Sequence, residues 1–165
     1  TAEGALSETT AILQRIRELS VQSSNGTLSA TNRSDLQLEV AQLLLQIDTI
    51  ANNTEFNSIT PLNAITTITL QVGPDAANTL GVAFIAASTA AGLGVAAVTV
   101  ATVAGANAAI TTVDTALTTI GTTRARLGAF QNRLEFTINT LAIEEENSAA
   151  SESAIRDANI ATETI

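Results

Sequence analysis

Apolar residues recur at alternating spacings of four and three in the first part of the chain, which is the period of one helical face. This pattern predicts a helix from Ala2 to Ser24, with a buried stripe at Ala5, Thr9, Ile12, Ile16 and Leu19. The residues Ser23-Ser24-Asn25-Gly26 predict the end of the helix. We expect Gly26 to take the left-handed conformation that often closes a helix.

A second stripe of the same period predicts a second helix. The helix begins within Ser29–Ser34, a run rich in residues that cap helix N-termini, and ends at Asn52-Asn53. Because the connection to the first helix is short, we expect the two helices to pack as an antiparallel hairpin. The apolar face of the second helix consists of Leu36, Val40, Leu43, Ile47 and Ile50.

The period changes from helical to alternating in the centre of the chain. Alternation over Ile65–Val72 and again over Thr79–Ile85 predicts a β-hairpin, because every second residue of a strand faces the same side. The run Ser88–Gly105 is low in complexity and rich in Ala, Val, Thr and Gly. Within it, Val98-Thr99-Val100 together with Val103 is a candidate for one more strand.

The longest periodic segment predicts a third helix over roughly Ala106–Asn147. At ~1.5 Å per residue this helix is on the order of 60 Å long, so we expect it to pack along the N-terminal pair. Arg124 and Gln131 interrupt its apolar seam, and we expect both to lie in the seam with their polar ends satisfied. The apolar members of the seam are Ile110, Val113, Leu117, Ile120, Leu127, Leu134, Ile138 and Leu141.

These elements together predict a mainly α fold class. We expect an elongated antiparallel helical rod or bundle of three long helices, with a small β-hairpin region in the chain centre. In this prediction residues 1–58 and 105–165 form the helical rod domain. Residues 59–104 form the β-hairpin and a variable low-complexity region.

Composition narrows the chemistry that this chain can perform. Its 165 residues include no His, Cys, Lys or Met and carry a formal net charge of −9. The chain therefore lacks the residues of thiolate zinc sites, of His-containing catalytic triads and of Schiff-base catalysis. We predict no enzyme activity, no cofactor and no metal site. The acidic balance argues against a nucleic-acid partner, because nucleic acids select basic surfaces.

Three further patterns have ordinary explanations. The uncharged centre, Gly81–Ala106, holds too few large apolar residues for a membrane span. The run Gly92–Ala97 matches a dinucleotide-binding fingerprint, but no βαβ pattern surrounds it, so we interpret it as a chance match. The run Glu144–Glu146 predicts a solvated acidic helix end. Consecutive helical side chains point about 100° apart and do not converge on one cation.

Blocks in both halves of the chain resemble segments of bacterial flagellins and follow the order of that family. The two most specific blocks are Leu13–Ser23 (LQRIRELSVQS) and Arg124–Leu134 (RARLGAFQNRL). Further matches are Thr1–Leu6, Thr54–Asn57, Leu70–Gly73 and Ile155–Glu163. The resemblance covers about residues 1–85 and 105–165 and leaves the low-complexity centre unmatched.

Flagellin is the building block of the bacterial flagellar filament, and the resemblance implies this structural role in motility. It also implies an extracellular location, on the flagellum or the cell surface. It implies the rod core alone, without the terminal segments that precede and follow the rod in family members. We therefore expect this piece to be a soluble monomer, with other flagellin subunits as partners of the full-length form. The alternative is a flagellin-like cell-surface protein that binds a glycan or a host ligand.

The resemblance also implies a recognition surface. In many flagellins the vertebrate Toll-like flagellin receptor contacts the rod segment that matches Gln14–Gln22. The same strip packs against neighbouring subunits in filaments. The predicted receptor or subunit contacts in this chain are Gln14, Arg15, Leu19 and Gln22 on the first helix and Glu39 on the second.

Overall fold

The computed structural model describes residues 1–84 and 87–163, which form three helices and one two-stranded sheet. The described fold is 66% helical, and its sheet is antiparallel. These features confirm the predicted mainly α class with three long helices and a central β-hairpin. The elements are α1 (Ala2–Ser24), α2 (Ala30–Asn53), β1 (Thr66–Gln71), β2 (Thr79–Phe84) and α3 (Val103–Glu163).

Helix α1 has the predicted bounds, but its buried stripe is shifted at two positions. Ala5 and Ile12 are only partly buried, whereas their neighbours Leu6 and Leu13 are fully buried. The predicted placement of Ala5 and Ile12 is therefore wrong by one position. Leu6 buries more apolar area than Ala5, which favours this rotation of the helix. The large side chains that α1 buries completely are Leu6, Leu13, Ile16 and Leu19.

Helix α2 begins and ends where the sequence predicts. The hydroxyl of Ser29 accepts a hydrogen bond from the backbone N–H of Asn32 at 3.1 Å and so caps the first turn. The last helical residue is Asn53. Val40 and Ile47 are fully buried, as the predicted stripe requires. Three leucines of this helix pack partly buried against the same core: Leu36, Leu43 and Leu44.

Helices α1 and α2 run antiparallel, as predicted. Arg33, near the start of α2, hydrogen-bonds to Ser23 at the end of α1. Glu39, further along α2, hydrogen-bonds to Arg15, which lies earlier on α1. Residues later in α2 therefore pair with residues earlier in α1. This pairing fixes which side chains the hairpin presents to solvent.

A buried arginine holds the turn between the two helices. Nε of Arg33 donates to the backbone oxygen of Ser23 at 3.0 Å, and Nη2 donates to that of Asn25 at 2.9 Å. Asn25 ends α1 in an extended conformation, with φ −68° and ψ 122°. Gly26 does not have a positive φ, so its predicted left-handed conformation is wrong. The Arg33 guanidinium supplies donors to carbonyls at the helix end, a task that helices often leave to a left-handed cap.

The predicted β-hairpin is confirmed. The backbone N–H of Val72 donates to the oxygen of Asn78 at 2.8 Å, which closes the loop between β1 and β2. Inside this loop, Nε2 of Gln71 donates to two backbone oxygens, at 2.7 and 2.6 Å. Ile85, the predicted end of the second strand, lies outside the described residues.

Residues 87–102, here called the docked segment, form turns that pack on α2 and contain no strand. The predicted strand at Val98–Val100 is therefore wrong. The backbone N–H of Val100 donates to Oε1 of Gln37 at 2.6 Å, and its carbonyl accepts from the hydroxyl of Ser23. Because side chains satisfy both backbone groups, Val100 does not need a neighbouring strand.

A second side chain of α2 also holds the docked segment. Oδ1 of Asp48 accepts a hydrogen bond from the backbone N–H of Ala90 at 2.8 Å. Gly94 provides a turn with a positive φ of 73°, a conformation that favours glycine. The docked segment adds five apolar residues to the core: Ala90, Leu93, Val95, Val98 and Val100.

Helix α3 extends beyond both predicted ends, because Val103 begins it and the acidic Ala/Ser run after Leu141 stays helical. Ala and Glu are strong helix formers, which explains this extension. Gln131 and Ile138 are exposed, so their predicted places in the seam are wrong. Up to Thr123 the buried positions keep the predicted spacing, at Ala106, Ala109, Val113, Ala116, Ile120 and Thr123. Ala109, Ala116 and Thr123 are each one residue before the predicted Ile110, Leu117 and Arg124, which are only partly buried.

The chain divides into two compact units. The first unit, Thr1–Ile68 with Gly81–Leu127, contains α1, α2, the docked segment and the start of α3. The second, Thr69–Leu80 with Gly128–Ile165, contains the hairpin loop and the rest of α3. These boundaries follow packing. The division predicted above follows composition and resemblance, and it stays a prediction.

The described parts of the chain contain neither a helix suited to crossing a membrane nor a cluster of potential metal ligands. No helix there combines the length and the hydropathy that crossing a bilayer requires. The same residues bring no three His, Cys, Asp or Glu side chains together as potential metal ligands.

Candidate functional site

The hairpin of α1 and α2 carries an exposed polar surface, here called the Arg15 surface, made of Gln14, Arg15, Glu18, Gln22 and Glu39. Arg15 and Gln22 are seven positions apart on α1 and therefore share one face of the helix. Glu39 reaches this face from α2, because the helices are antiparallel. Four of the five predicted contact residues thus lie on the exterior of the hairpin.

Arg15 is the best-defined side chain of this surface. Its Nε and Nη2 approach the same atom, Oε1 of Glu39, at 2.8 and 2.7 Å. Its Nη1 donates to Oε2 of Glu18 at 3.3 Å. Two carboxylates, one from each helix, therefore orient one guanidinium.

The electrostatics of this group follow from its two partners. The pKa of Arg15 is raised above its ordinary value, mainly by its hydrogen bond to Glu39 and next by its hydrogen bond to Glu18. The negative charges of the two carboxylates act in the same direction. The guanidinium therefore stays charged at any pH at which the protein is folded. It has five N–H groups, and the three contacts above engage three of them, so two N–H groups are available to a further acceptor.

Leu19 differs from the other predicted contacts, because only 1% of it is exposed. It packs in the core beneath the Arg15 surface, with Ile16 on the same helix. Its place supports the backbone that carries Arg15 and Gln22. The structure thus separates the predicted set into four surface residues and one core residue.

Two residues that matter to this surface are absent from the predicted set. Glu18 contacts Arg15 at a spacing of three along α1, a spacing at which helical side chains meet. That spacing is visible in the sequence. Arg33 fixes the turn that aligns the two helices, but its burial depends on tertiary contacts that no local pattern contains.

Two ion pairs connect α1 to the start of α3 within the first unit. Nε of Arg17 lies 2.6 Å from Oδ1 of Asp114, and Nε of Arg124 lies 2.7 Å from Oε1 of Glu3. The second pair confirms that the polar end of Arg124 is satisfied. The two pairs have opposite polarity, since α1 supplies the base in one and the acid in the other. Pairs of this kind favour one antiparallel register over others.

The remaining chemical motif lies in the docked segment. Leu93 and Val95, inside the glycine-rich fingerprint, are buried in the core. Turns surround the motif, with no strand leading into it and no helix starting from its glycines. The backbone context that holds a pyrophosphate is therefore missing at this motif.

Models of known protein families match both the N-terminal and the C-terminal part of the chain. The bacterial flagellin N-terminal helical region matches residues 1–67. The bacterial flagellin C-terminal helical region matches residues 110–165. Together the two family models cover α1, α2 and most of α3, in the order in which they occur here. The docked segment lies between the two matches.

Curated relatives and solved structures agree with this assignment. The chain is 40% identical to a flagellar filament 31.3 kDa core protein of Treponema maltophilum, over 99% of the chain and 63% of the relative. It is 39% identical to a flagellin of Bacillus subtilis, over 99% of the chain and 65% of the relative. It therefore spans less than two thirds of the length of these relatives.

Two flagellin structures are similar to this one. The crystal structure of Bacillus cereus flagellin has a TM-score of 0.74 and 31% identity, over 84% of this chain and 81% of that one. The structure of FliC from Burkholderia pseudomallei shares the fold, with a TM-score of 0.73, 21% identity, and coverage of 80% of this chain and 96% of that one. From its two terminal matches and these relatives, the chain belongs to the bacterial flagellin family.

Proposed function

We propose that this chain is part of a structural subunit of a bacterial flagellar filament, which works in motility outside the cell. The observation that carries the proposal is the match of both helical regions of the flagellin family, in order, to the helices of one fold. Relatives at about 40% identity bear the names flagellin and flagellar filament core protein. The partners in this role are other copies of the full-length subunit.

Residues 59–104 stand, in this proposal, where family members carry their variable outer region. Neither family model reaches residues 68–109. The docked segment lies in this interval and packs on α2 through Gln37 and Asp48. A compact segment of this kind supports a reduced outer region.

Polymerisation of the full-length protein tests the filament role. Short pieces of flagellar filament sheared from the cells that make this protein serve as seeds, so that failure to nucleate is not mistaken for failure to elongate. We expect long filaments in electron micrographs after seeding. A soluble protein that never elongates from seeds would exclude the structural role.

We further propose that the Toll-like flagellin receptor recognises the Arg15 surface. Exposure of Gln14, Arg15, Gln22 and Glu39 on one side of the hairpin supports this proposal, and so does the fixed orientation of the Arg15 guanidinium. In this proposal Leu19 does not touch the receptor, because it is buried; it packs in the core under the contact residues. Titration of the receptor ectodomain with this chain tests the proposal.

A further inference from the structure

The turn between α1 and α2 contains a chemically reactive pair of residues. Asn25-Gly26 is the one place in the 165-residue sequence where glycine follows asparagine. Because glycine has no Cβ, its backbone nitrogen can approach the side chain of the residue before it. Asn25, Gly26 and Thr27 are all exposed, so water reaches the pair. Such a pair is open to deamidation, a reaction that needs no enzyme.

Deamidation here joins the backbone nitrogen of Gly26 to Cγ of Asn25. The nitrogen loses its proton, the bond between Cγ and Nδ2 breaks, and Nδ2 leaves with that proton as ammonia. A five-membered succinimide ring remains in the backbone. Water then opens the ring at one of its two carbonyls. The product is either aspartate at position 25 or isoaspartate, in which the backbone runs through the former side chain.

The folded turn holds the two reacting atoms apart. Asn25 has a ψ of 122°, which places the Gly26 nitrogen about 120° from Cβ of Asn25 around the Cα–C bond. Ring closure requires this nitrogen and Cβ to be nearly eclipsed about that bond. The bond must therefore rotate by roughly the same angle before Cγ can be attacked. Because the peptide group is planar, the carbonyl oxygen of Asn25 swings with the nitrogen.

Two hydrogen bonds resist this rotation, because both end on the carbonyl oxygen of Asn25. Nη2 of Arg33 donates to it at 2.9 Å, and the backbone N–H of Leu28 donates at 3.3 Å. The bond from Arg33, here called the Arg33 clamp, is the stronger one, since it is shorter and its donor is charged. Nε of Arg33 also donates to the oxygen of Ser23, and only 9% of Arg33 is exposed. The guanidinium is therefore fixed in place against the turn.

We propose that Asn25 is the main deamidation site of this chain and that the Arg33 clamp controls how fast it converts. While the clamp is closed, the Gly26 nitrogen cannot reach Cγ. Conversion proceeds only from the molecules in which the turn has opened locally, and the clamp keeps that fraction small. This inference is independent of the filament role and of the receptor.

The turn accommodates the two products differently. Oδ1 of Asn25 accepts hydrogen bonds from the backbone N–H and the hydroxyl of Thr27, at 3.1 and 3.0 Å. An aspartate keeps an oxygen for both donors and adds a negative charge to the residue that Arg33 contacts. An isoaspartate lengthens the backbone by one carbon atom and displaces the carbonyl from Arg33. We therefore expect the aspartate product to keep the clamp and the isoaspartate product to lose it.

Ageing of the 165-residue chain in mildly alkaline buffer tests the site. Cleavage after glutamate releases the peptide Leu19–Glu39, in which Asn25 and Asn32 are the two asparagines. Asn32 serves as the internal reference, because the residue after it has a side chain. Tandem mass spectrometry locates the exchange of amide for acid, and we expect it at Asn25 first.

Gly26→Ala tests whether the Gly26 nitrogen is the attacking atom. An added Cβ at this position meets nothing within 4 Å, and Gly26 does not have a positive φ, so alanine fits the folded turn. The methyl group hinders the approach to Cγ. Conversion of Asn25 should therefore slow severalfold in this variant, while Asn32 is unaffected.

Arg33→Met removes the clamp and should make Asn25 convert roughly fivefold faster or more, because the carbonyl loses a charged donor. The control is Leu13→Ala, which leaves a cavity in the core without touching the turn. Urea unfolding measures the stability that each variant loses. We expect Leu13→Ala to cost the fold more and yet to accelerate conversion less, since the clamp acts on local opening.

Three outcomes would overturn the proposal. Another asparagine of the unmodified chain could convert before Asn25. Gly26→Ala could convert as fast as the unmodified chain. Arg33→Met could accelerate Asn25 no more than Leu13→Ala does, which would assign the rate to unfolding of the whole chain and not to the clamp.

Discussion

Arg15 and Glu39 join α1 to α2 through a single carboxylate oxygen, which lies 2.8 Å from Nε and 2.7 Å from Nη2 of the arginine. Both side chains are about half exposed, at 49% and 43%. Exposed pairs of this kind add little to stability, because water and salt screen them. The pair therefore serves to orient the guanidinium at the surface.

Arg15→Ala should weaken binding of the flagellin receptor by roughly tenfold or more, the size of an interface hot spot. Arginine combines contact area with a planar fork of donors, and alanine removes both. The change should leave the urea unfolding midpoint nearly unchanged, because the side chain is exposed. Titration of the receptor ectodomain measures the loss.

The matched control for this prediction is Arg156→Ala. Its side chain is 79% exposed and lies on α3, far along the chain from the Arg15 surface. We expect unchanged receptor affinity for this variant. Equal affinities of the unmodified chain and Arg15→Ala would remove Arg15 from the receptor site.

A double-mutant cycle on Arg17 and Asp114 should give a coupling energy of about 0.2–1 kcal/mol in urea unfolding. In 1 M NaCl, where the screening length falls to about 3 Å, the coupling should shrink. The reference cycle uses Glu152 and Arg156, which lie 3.7 Å apart on one helix and are more exposed. A larger coupling in the reference cycle would contradict the assigned role of the α1–α3 pair.

Leu13→Ala should destabilise the fold by roughly 2–5 kcal/mol, because it leaves a cavity where the side chain is fully buried. Ile12→Ala should cost less, since Ile12 is only partly buried at the edge of the core. Urea unfolding of the two variants compares adjacent residues of α1. A larger loss of stability in Ile12→Ala than in Leu13→Ala would mean that the buried stripe predicted from the sequence is the right one.

Arg33→Met should destabilise the fold by ~1–3 kcal/mol, because the carbonyl of Ser23 loses its charged donor in a buried place and that of Asn25 loses one in a partly buried place. Methionine keeps most of the apolar stem, so the variant isolates the guanidinium. Arg156→Met is the exposed control and should be nearly neutral. Equal stability of the two variants would mean that the buried contacts of Arg33 are dispensable.

Asp48→Leu should detach the docked segment near Ala90, because leucine cannot accept the hydrogen bond from its N–H. We expect faster hydrogen exchange of that amide and a loss of about 1–3 kcal/mol. Asp48→Asn keeps an oxygen acceptor of the same shape and should preserve the protection. If both variants exchange alike, the carboxylate oxygen does not hold the segment.

The helices were predictable because local signals define them. The Ser29 cap, the stripe through Val40 and Ile47 and the final Asn53 all lie within α2 itself. In α1 the same period fits either Ile12 or Leu13 as a core position. The choice between them depends on what packs against the helix. One such element is α3, whose Asp114 pairs with Arg17 of α1 although 97 positions separate them.

The docked segment was not predictable, because side chains from α1 and α2 replace the partner that a strand requires. Apolar and polar residues alternate around Val100 as they do in a strand. Its backbone N–H and carbonyl nevertheless hydrogen-bond to the side chains of Gln37 and Ser23. The Arg15 surface was predictable only through family resemblance. The burial of Leu19 beneath it follows from tertiary packing.

The ion pairs between α1 and α3 join residues 97 and 121 positions apart, which bears on the order in which the chain folds. The α1–α2 hairpin can close early, since its partners are near in sequence. The core of the first unit can close only after the chain up to Leu127 is available, and such distant closure is slow. A polypeptide built this way pairs its first two helices early, and the core that they share with α3 stays open to water until the start of α3 has been made.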